Sequence, residues 1–192
     1  MKLLLTQYED AAGIPPAPAV PTLEPALLYA ATASTAGGHA WLQRVPDDWR
    51  FADAPAIRRD DGARVSQHLC ETFADEGPVR VPGEILMLVA FEVPAPRRRE
   101  VDDWYLQEHV PLLLKADGWY RARPCHAHGA AGSTEQWSHI AFHDMRDERV
   151  LDSRERAAAR STAWRARLAD EAWFAAAGRW VYRRVTPIER AA

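Results

Sequence analysis

Trp104-Tyr105-Leu106-Gln107-Glu108-His109-Val110-Pro111-Leu112-Leu113-Leu114-Lys115-Ala116-Asp117 is the stretch on which the reading of the fold turns. As a helix it places Tyr105, His109 and Leu112 at i, i+4 and i+7, on one face with Val101, while Asp103 and Gln107 point away. Glu100, Asp102 and Asp103 put negative charge in the first turn, Lys115 falls in the last, and Gly118 stands where a left-handed C-cap belongs. The spacing therefore predicts a helix over residues 101–116 with His109 facing inward. Pro111 cannot donate to the Gln107 carbonyl, so the helix must kink or fray around the histidine. An inward imidazole beside strained backbone suits proton transfer near neutral pH. A core histidine that only ties its helix to a sheet would look the same.

Working outward, residues 85–93 form a β-rich run bounded by Pro82-Gly83 and Pro94-Ala95-Pro96. Residues 119–128 and 137–144 read as a hairpin around a Gly/Ser/Thr turn at 129–136. A second helix is expected over residues 147–176, with Val150, Ala157, Ser161, Trp164, Leu168, Ala172 and Ala175 on one side and Arg and Glu on the other. Ser161-Thr162 could cap and divide it. Gly178 ends that region, and residues 179–185 close it with a strand. The order β-α-β-β-α-β predicts an α+β, ferredoxin-like unit with helices on one face of an antiparallel sheet. The other face, carrying Trp137, His139, Ala141, Trp180 and Tyr182, calls for a second sheet or a ligand cavity.

The first half has landmarks in a similar order. Residues 3–9 resemble 86–92, residues 22–33 suggest a helix, and residues 40–45 resemble the strand beginning at Trp119. Asp60-Asp61-Gly62 reads as a hairpin turn into residues 65–73. Residues 10–21, rich in Pro and Ala, read as a surface loop. Too little chain remains before Glu84 for another long helix and strand. The expected organisation is a degenerate ferredoxin-like half or sheet extension over 1–82 and a ferredoxin-like domain over 83–192.

The string Asp103-Trp104-Tyr105, then Glu108-His109-Val110-Pro111-Leu112-Leu113, Gly118-Trp119 and Arg121-Ala122-Arg123, resembles the signature of EthD-like proteins of the dimeric α/β-barrel superfamily. The resemblance runs over residues 84–185. It implies ferredoxin-like units packed sheet against sheet, a small-molecule pocket on the concave side and no tightly bound cofactor; the barrel could close within one chain or between two, and the incomplete first half favours a homodimer. It also implies an isomerase, polyketide cyclase or decarboxylase type of activity, with His109 as acid or base and Tyr105, Trp104 and Glu108 in support. Pro124-Cys125 departs from the regular strand of many relatives.

Composition narrows the partners. The 192 residues carry 24 basic and 27 acidic groups, net −3, which offers no broad attraction to nucleic acid or an anionic membrane. No apolar run reaches spanning length, and Cys70 and Cys125 form no CxxC pair, so a cytoplasmic setting is expected. His126 with His128, and His139 with His143, alternate onto strand faces, but neither pair has a metal-motif context and no metal is expected. His139, with Trp137, is the second polar candidate for the cavity wall. Trp104, Trp119 and Trp137 are flat walls for a planar ligand, whereas Trp164 and Trp173 read as core. The leading function is thus proton transfer by His109, aided by Tyr105, on a planar carbonyl or phenolic substrate lined by Trp104, Trp119, Trp137 and His139. A non-catalytic ligand-binding or scaffold protein is the alternative, and a haem-binding barrel with His109 or His139 as axial ligand is the third.

Overall fold

Eight strands each turn one row of side chains toward a shared interior. The computed structural model describes residues 1–9, 13–33, 38–50, 64–79, 81–132 and 136–185. Its strands are β1 (Lys2–Glu9), β2 (Leu27–Ala31), β3 (Gly38–Val45), β4 (Val65–Thr72), β5 (Ile85–Phe91), β6 (Trp119–Ala131), β7 (His139–Met145) and β8 (Gly178–Arg184). They pair antiparallel in the order β1-β3-β2-β8-β5-β7-β6-β4, and β4 returns to β1 to close a barrel. Leu5, Tyr29, Leu42, Cys70, Leu88, Cys125, Phe142 and Tyr182, one from each strand, meet in the interior core. A buried Arg123–Asp144 pair at 2.8 Å lies among them, and Asp144 also accepts the Gly83 N–H at 3.1 Å. Breaking such a pair from one side costs about 3–5 kcal/mol.

This closed barrel corrects the expected fold class, a ferredoxin-like βαββαβ unit that pairs sheet against sheet with a second copy. A sheet edge exposes unpaired N–H and C=O groups, and here strands of the first half satisfy both edges of the second. Tyr29, Ala30 and Ala31 of β2 pair with Arg184, Arg183 and Tyr182, while β4 reaches β6 through Thr72 opposite Cys125. The barrel therefore closes within one chain, which removes the need for a second chain to complete the sheet. The expected helix over residues 22–33 is instead β2. Pro25 removes an amide there, and five residues suffice to bridge β3 and β8. The expected turn at Asp60-Asp61-Gly62 lies outside the described residues.

The outer surface carries two coverings. Over the second half lie α1 (Arg98–Trp104), a π turn (Tyr105–His109), α2 (Val110–Leu113), α3 (Arg154–Arg160), α4 (Ala163–Ala169) and α5 (Ala172–Ala175). The single helix expected over residues 147–176 is divided because Ser153 and Thr162 each act as an N-cap. Their hydroxyls accept the Arg156 and Arg165 N–H groups, both at 3.2 Å. Over the first half runs a proline-rich strap. Trp41 Nε1 donates to the Pro15 carbonyl at 3.1 Å, Gln43 to Pro18 at 3.1 Å and the Tyr8 hydroxyl to Pro16 at 3.3 Å. Among the described residues, no helix is long and apolar enough to cross a membrane.

Candidate functional site

The break expected at Pro111 is a widened turn just before it. The Val110 N–H bonds the Tyr105 carbonyl, five residues back, and ordinary helical bonding resumes at Leu114, which donates to Val110. A π turn absorbs the donor that proline lacks and is a frequent feature of functional sites. Gly118 then adopts φ 90°, as a left-handed C-cap requires.

Between this turn, α3 to α5 and the outer faces of β5 and β7 lies a cleft of about 90 Å³. Tyr105, His109, Trp104, Trp119 and His143 form its floor and inner wall, and Arg156, Arg160, Arg165 and Arg179 its rim. The His109 ring stacks on Trp104 with centroids 4.3 Å apart and meets Tyr105 edge-on at 5.7 Å. Trp119 meets His143 edge-on at 5.3 Å. The volume is below the roughly 150 Å³ of a cavity that holds benzene, so it fits the head of a ligand and no polycyclic body.

Burial pushes His109 down to about 4; a hydrogen bond with the Ala159 backbone opposes this, and Arg165, Arg156 and Arg160 deepen it. Burial likewise takes His143 down to about 3, helped by His109, Arg123 and Arg156. Both imidazoles are therefore neutral at pH 7. Burial raises the Tyr105 phenol, which stays protonated as a donor. His109 Nδ1, His143 Nδ1, Trp104 Nε1 and Trp119 Nε1 are buried without a hydrogen-bond partner. The Ala159 backbone lies close enough to the His109 ring to favour its protonated form, and Nδ1 has no partner among the described residues.

The arginines complete the electrostatics. Arg156 donates to the Leu151 carbonyl, Arg165 to Arg160 and Arg179 to Ala177, and Arg165 also lies 5.4 Å from the Phe174 ring centroid. Among the described residues none of the four forms an ion pair with a carboxylate, and the charge of Asp152 is felt at Arg156 only at longer range. Burial lowers Arg156 most, and Arg160, Arg165 and Arg179 press it further downward, so the rim is a net cationic site that favours an anion.

The cleft thus unites four of the six residues singled out from sequence: His109, Tyr105, Trp104 and Trp119. The other two lie elsewhere. Trp137 lines an open cleft of about 840 Å³ at the barrel end, with Trp173 and Arg98, and its ring meets Trp180 edge-on at 6.2 Å. His139 was expected on the cavity face, but His139, Ala141 and His143 point outward, whereas Ile140 and Phe142 point in. His139 Nε2 sits 3.1 Å from Asp102 on α1. The concave side of the sheet is a packed core, so the cleft with His109 is on the outside of the barrel. Sequence reasoning missed His143 and the arginine rim. Arg156 and Arg160 are four residues apart around buried Ala159, a signal hidden while one continuous helix put them on the solvent side.

No family model matches the chain, and no curated protein matches it in sequence. Among solved structures it is similar to an anthrone oxidase-like protein, with TM-score 0.61 and 12% identity over 96% of this chain and 91% of that one. A candidate monooxygenase of Fusobacterium nucleatum subsp. nucleatum aligns at TM-score 0.52 and 10% identity, over 96% and 92% of the two chains. A major regulator of staphylococcal pathogenesis aligns at TM-score 0.53 and 8% identity, over 96% and 99%. At these identities the likeness is one of fold, and proteins with quite different descriptions share it.

Proposed function

We propose that this protein is a small-molecule enzyme of EthD-like type that moves a proton with His109 in the helix–barrel cleft. Its substrate presents a small carbonyl or phenolic head and passes through an anion, as isomerisations, cyclisations and decarboxylations of this kind do. One observation carries the reading: among the described residues, an unpartnered imidazole nitrogen lies buried inside a rim of four arginines that form no ion pair with a carboxylate.

The chemistry follows from the charges. A C–H beside a carbonyl, or a phenolic O–H, gives its proton to His109 Nδ1, and the electron pair stays on the substrate as an enolate or phenolate. In the free protein the rim disfavours the imidazolium, and the new anion offsets that penalty by pairing with the same arginines. Anion and imidazolium are therefore stabilised together, at the point where charge develops. Tyr105, held neutral, donates to the substrate oxygen, and Trp104 backs the imidazole face to face. Return of the proton to a different atom completes an isomerisation or ring closure with no change of oxidation state. The 90 Å³ cleft admits only the reacting head. A haem macrocycle does not fit it, and the larger 840 Å³ cleft has no histidine among the described residues that line it.

A thermal-shift screen of phenols, lactones and aromatic carboxylates tests this. Wild type should be stabilised by members of that set, and His109→Asn should keep its fold and lose the response. Loss of folding in His109→Asn, with no response in wild type, would assign His109 to tying its helix to the barrel.

A further inference from the structure

Outside the cleft, on the same helix-covered face, α1 and two adjacent strands bring together Asp102, His126 and His139. Their nitrogen and carboxylate ligand atoms lie within 4.8 Å of one another. His126 Nε2 is 3.1 and 3.0 Å from the two Asp102 oxygens, and His139 Nε2 is 3.1 Å from Oδ1. Ligands at about 2.1 Å from a common ion stand about 3.0 Å apart along a cis edge of an octahedron, and about 3.4 Å apart in a tetrahedron. The carboxylate–imidazole separations match the octahedral edge, and the two imidazole nitrogens lie within 4.8 Å of each other. We propose that Asp102, His126 and His139 form a binding site for a divalent transition-metal ion of the zinc class.

The surroundings have the features such a site needs. The His139 side chain is only 3% exposed, and its Nδ1 lies 2.9 Å from Ser138 Oγ. The Ser138 hydroxyl has the Phe91 and Val93 carbonyls as acceptors for its own proton, so Oγ can receive Nδ1–H. That tautomer aims the Nε2 lone pair at Asp102, where a cation between the two groups turns repulsion into coordination. His126 is held flat against Phe73, with centroids 4.6 Å apart. Asp102 and His126 side chains are 24% and 39% exposed, which leaves a path for the ion and room for water ligands. Two imidazoles and one carboxylate suit Zn²⁺ or Co²⁺ better than the all-oxygen shells of Mg²⁺ or Ca²⁺.

The test is titration of the full-length protein with Zn²⁺ and Co²⁺, by calorimetry and by the visible d–d absorption of Co²⁺. One ion per chain should bind, and His126→Ala and Asp102→Asn should each weaken binding at least tenfold. His126 is partly exposed, so its replacement spares the fold where loss of buried His139 could disturb it. His128→Ala, which alters the neighbouring His128–Glu71 pair at 2.9 Å, and His109→Asn should leave the affinity unchanged. Binding that survives His126→Ala and Asp102→Asn, or that disappears with His128→Ala, would overturn the assignment, as would no saturable binding by wild type at 100-fold molar excess of Zn²⁺.

Discussion

The barrel wears two outer coverings, and they differ in how they treat the tryptophan N–H groups beneath them. Over β1 and β3 the strap offers proline carbonyls, acceptors on residues that have no N–H of their own, and Trp41, Gln43 and Tyr8 donate to them. Over β5 and β7 the helices bury the ring nitrogens of His109, His143, Trp104 and Trp119 without partners, and ring them with arginines. Leaving a buried polar group unpaired costs about 1–3 kcal/mol. A covering made only for stability would resemble the strap. The helical side gives up stability at a cleft where a ligand could recover it, which is how functional sites come to be strained.

That contrast can be broken at several points. His109→Ala should lower turnover of a responsive substrate by about 10²–10⁴-fold with little change in KM, measured by steady-state kinetics alongside the melting temperature. Replacing Arg156 and Arg165 together by Met should weaken an anionic ligand about ten- to a hundredfold in equilibrium titrations, since bonds to charged groups contribute about 1.5–3 kcal/mol. Removing these cations should also raise the His109 pKa from about 4 and move the acid limb of the pH–rate profile upward. Stability should depend on pH in a defined window. His109 and His143 fall from 6.5 to about 4 and about 3 on folding, so the unfolded chain binds protons that the native chain refuses. The melting temperature should therefore drop as pH falls from 6.5 toward 4, and His143→Phe should flatten that slope. The smallest effect belongs to the strap: Trp41→Phe should cost about 1 kcal/mol in denaturant unfolding and leave ligand responses untouched.

Much of the local structure was legible because it is encoded locally. An unbroken β-rich apolar run bounded by Pro and Gly marked β5, and Gly118 marked the helix end; the i, i+4 spacing brought Tyr105 and His109 into one cleft. What was not legible depends on distant partners. Nothing near Leu27 says that β2 will bridge β3 and β8, and short strands that close a barrel carry little periodicity of their own. The alternation of His139 with Ala141 was read correctly, but which side of β7 faces the helices is decided by packing, with Phe142 pointing in. The break at Ser161-Thr162 was raised as a possibility and Thr162 does cap α4, but period counting placed the arginines of this region, Arg156 and Arg160 among them, on the side away from the core. The candidate site was half readable for the same reason: its histidine is announced by the sequence around it, its cations only by the turn between two helices.

The central claim is that His109 is a neutral base inside a cationic cleft built for a small anion. Side-chain ¹⁵N NMR of the histidines across pH, with and without benzoate as a probe anion, tests it most directly. The account predicts that His109 titrates near 4 in the free protein and shifts upward when benzoate is bound. A His109 that titrates near 6.5 and does not respond to benzoate would contradict it.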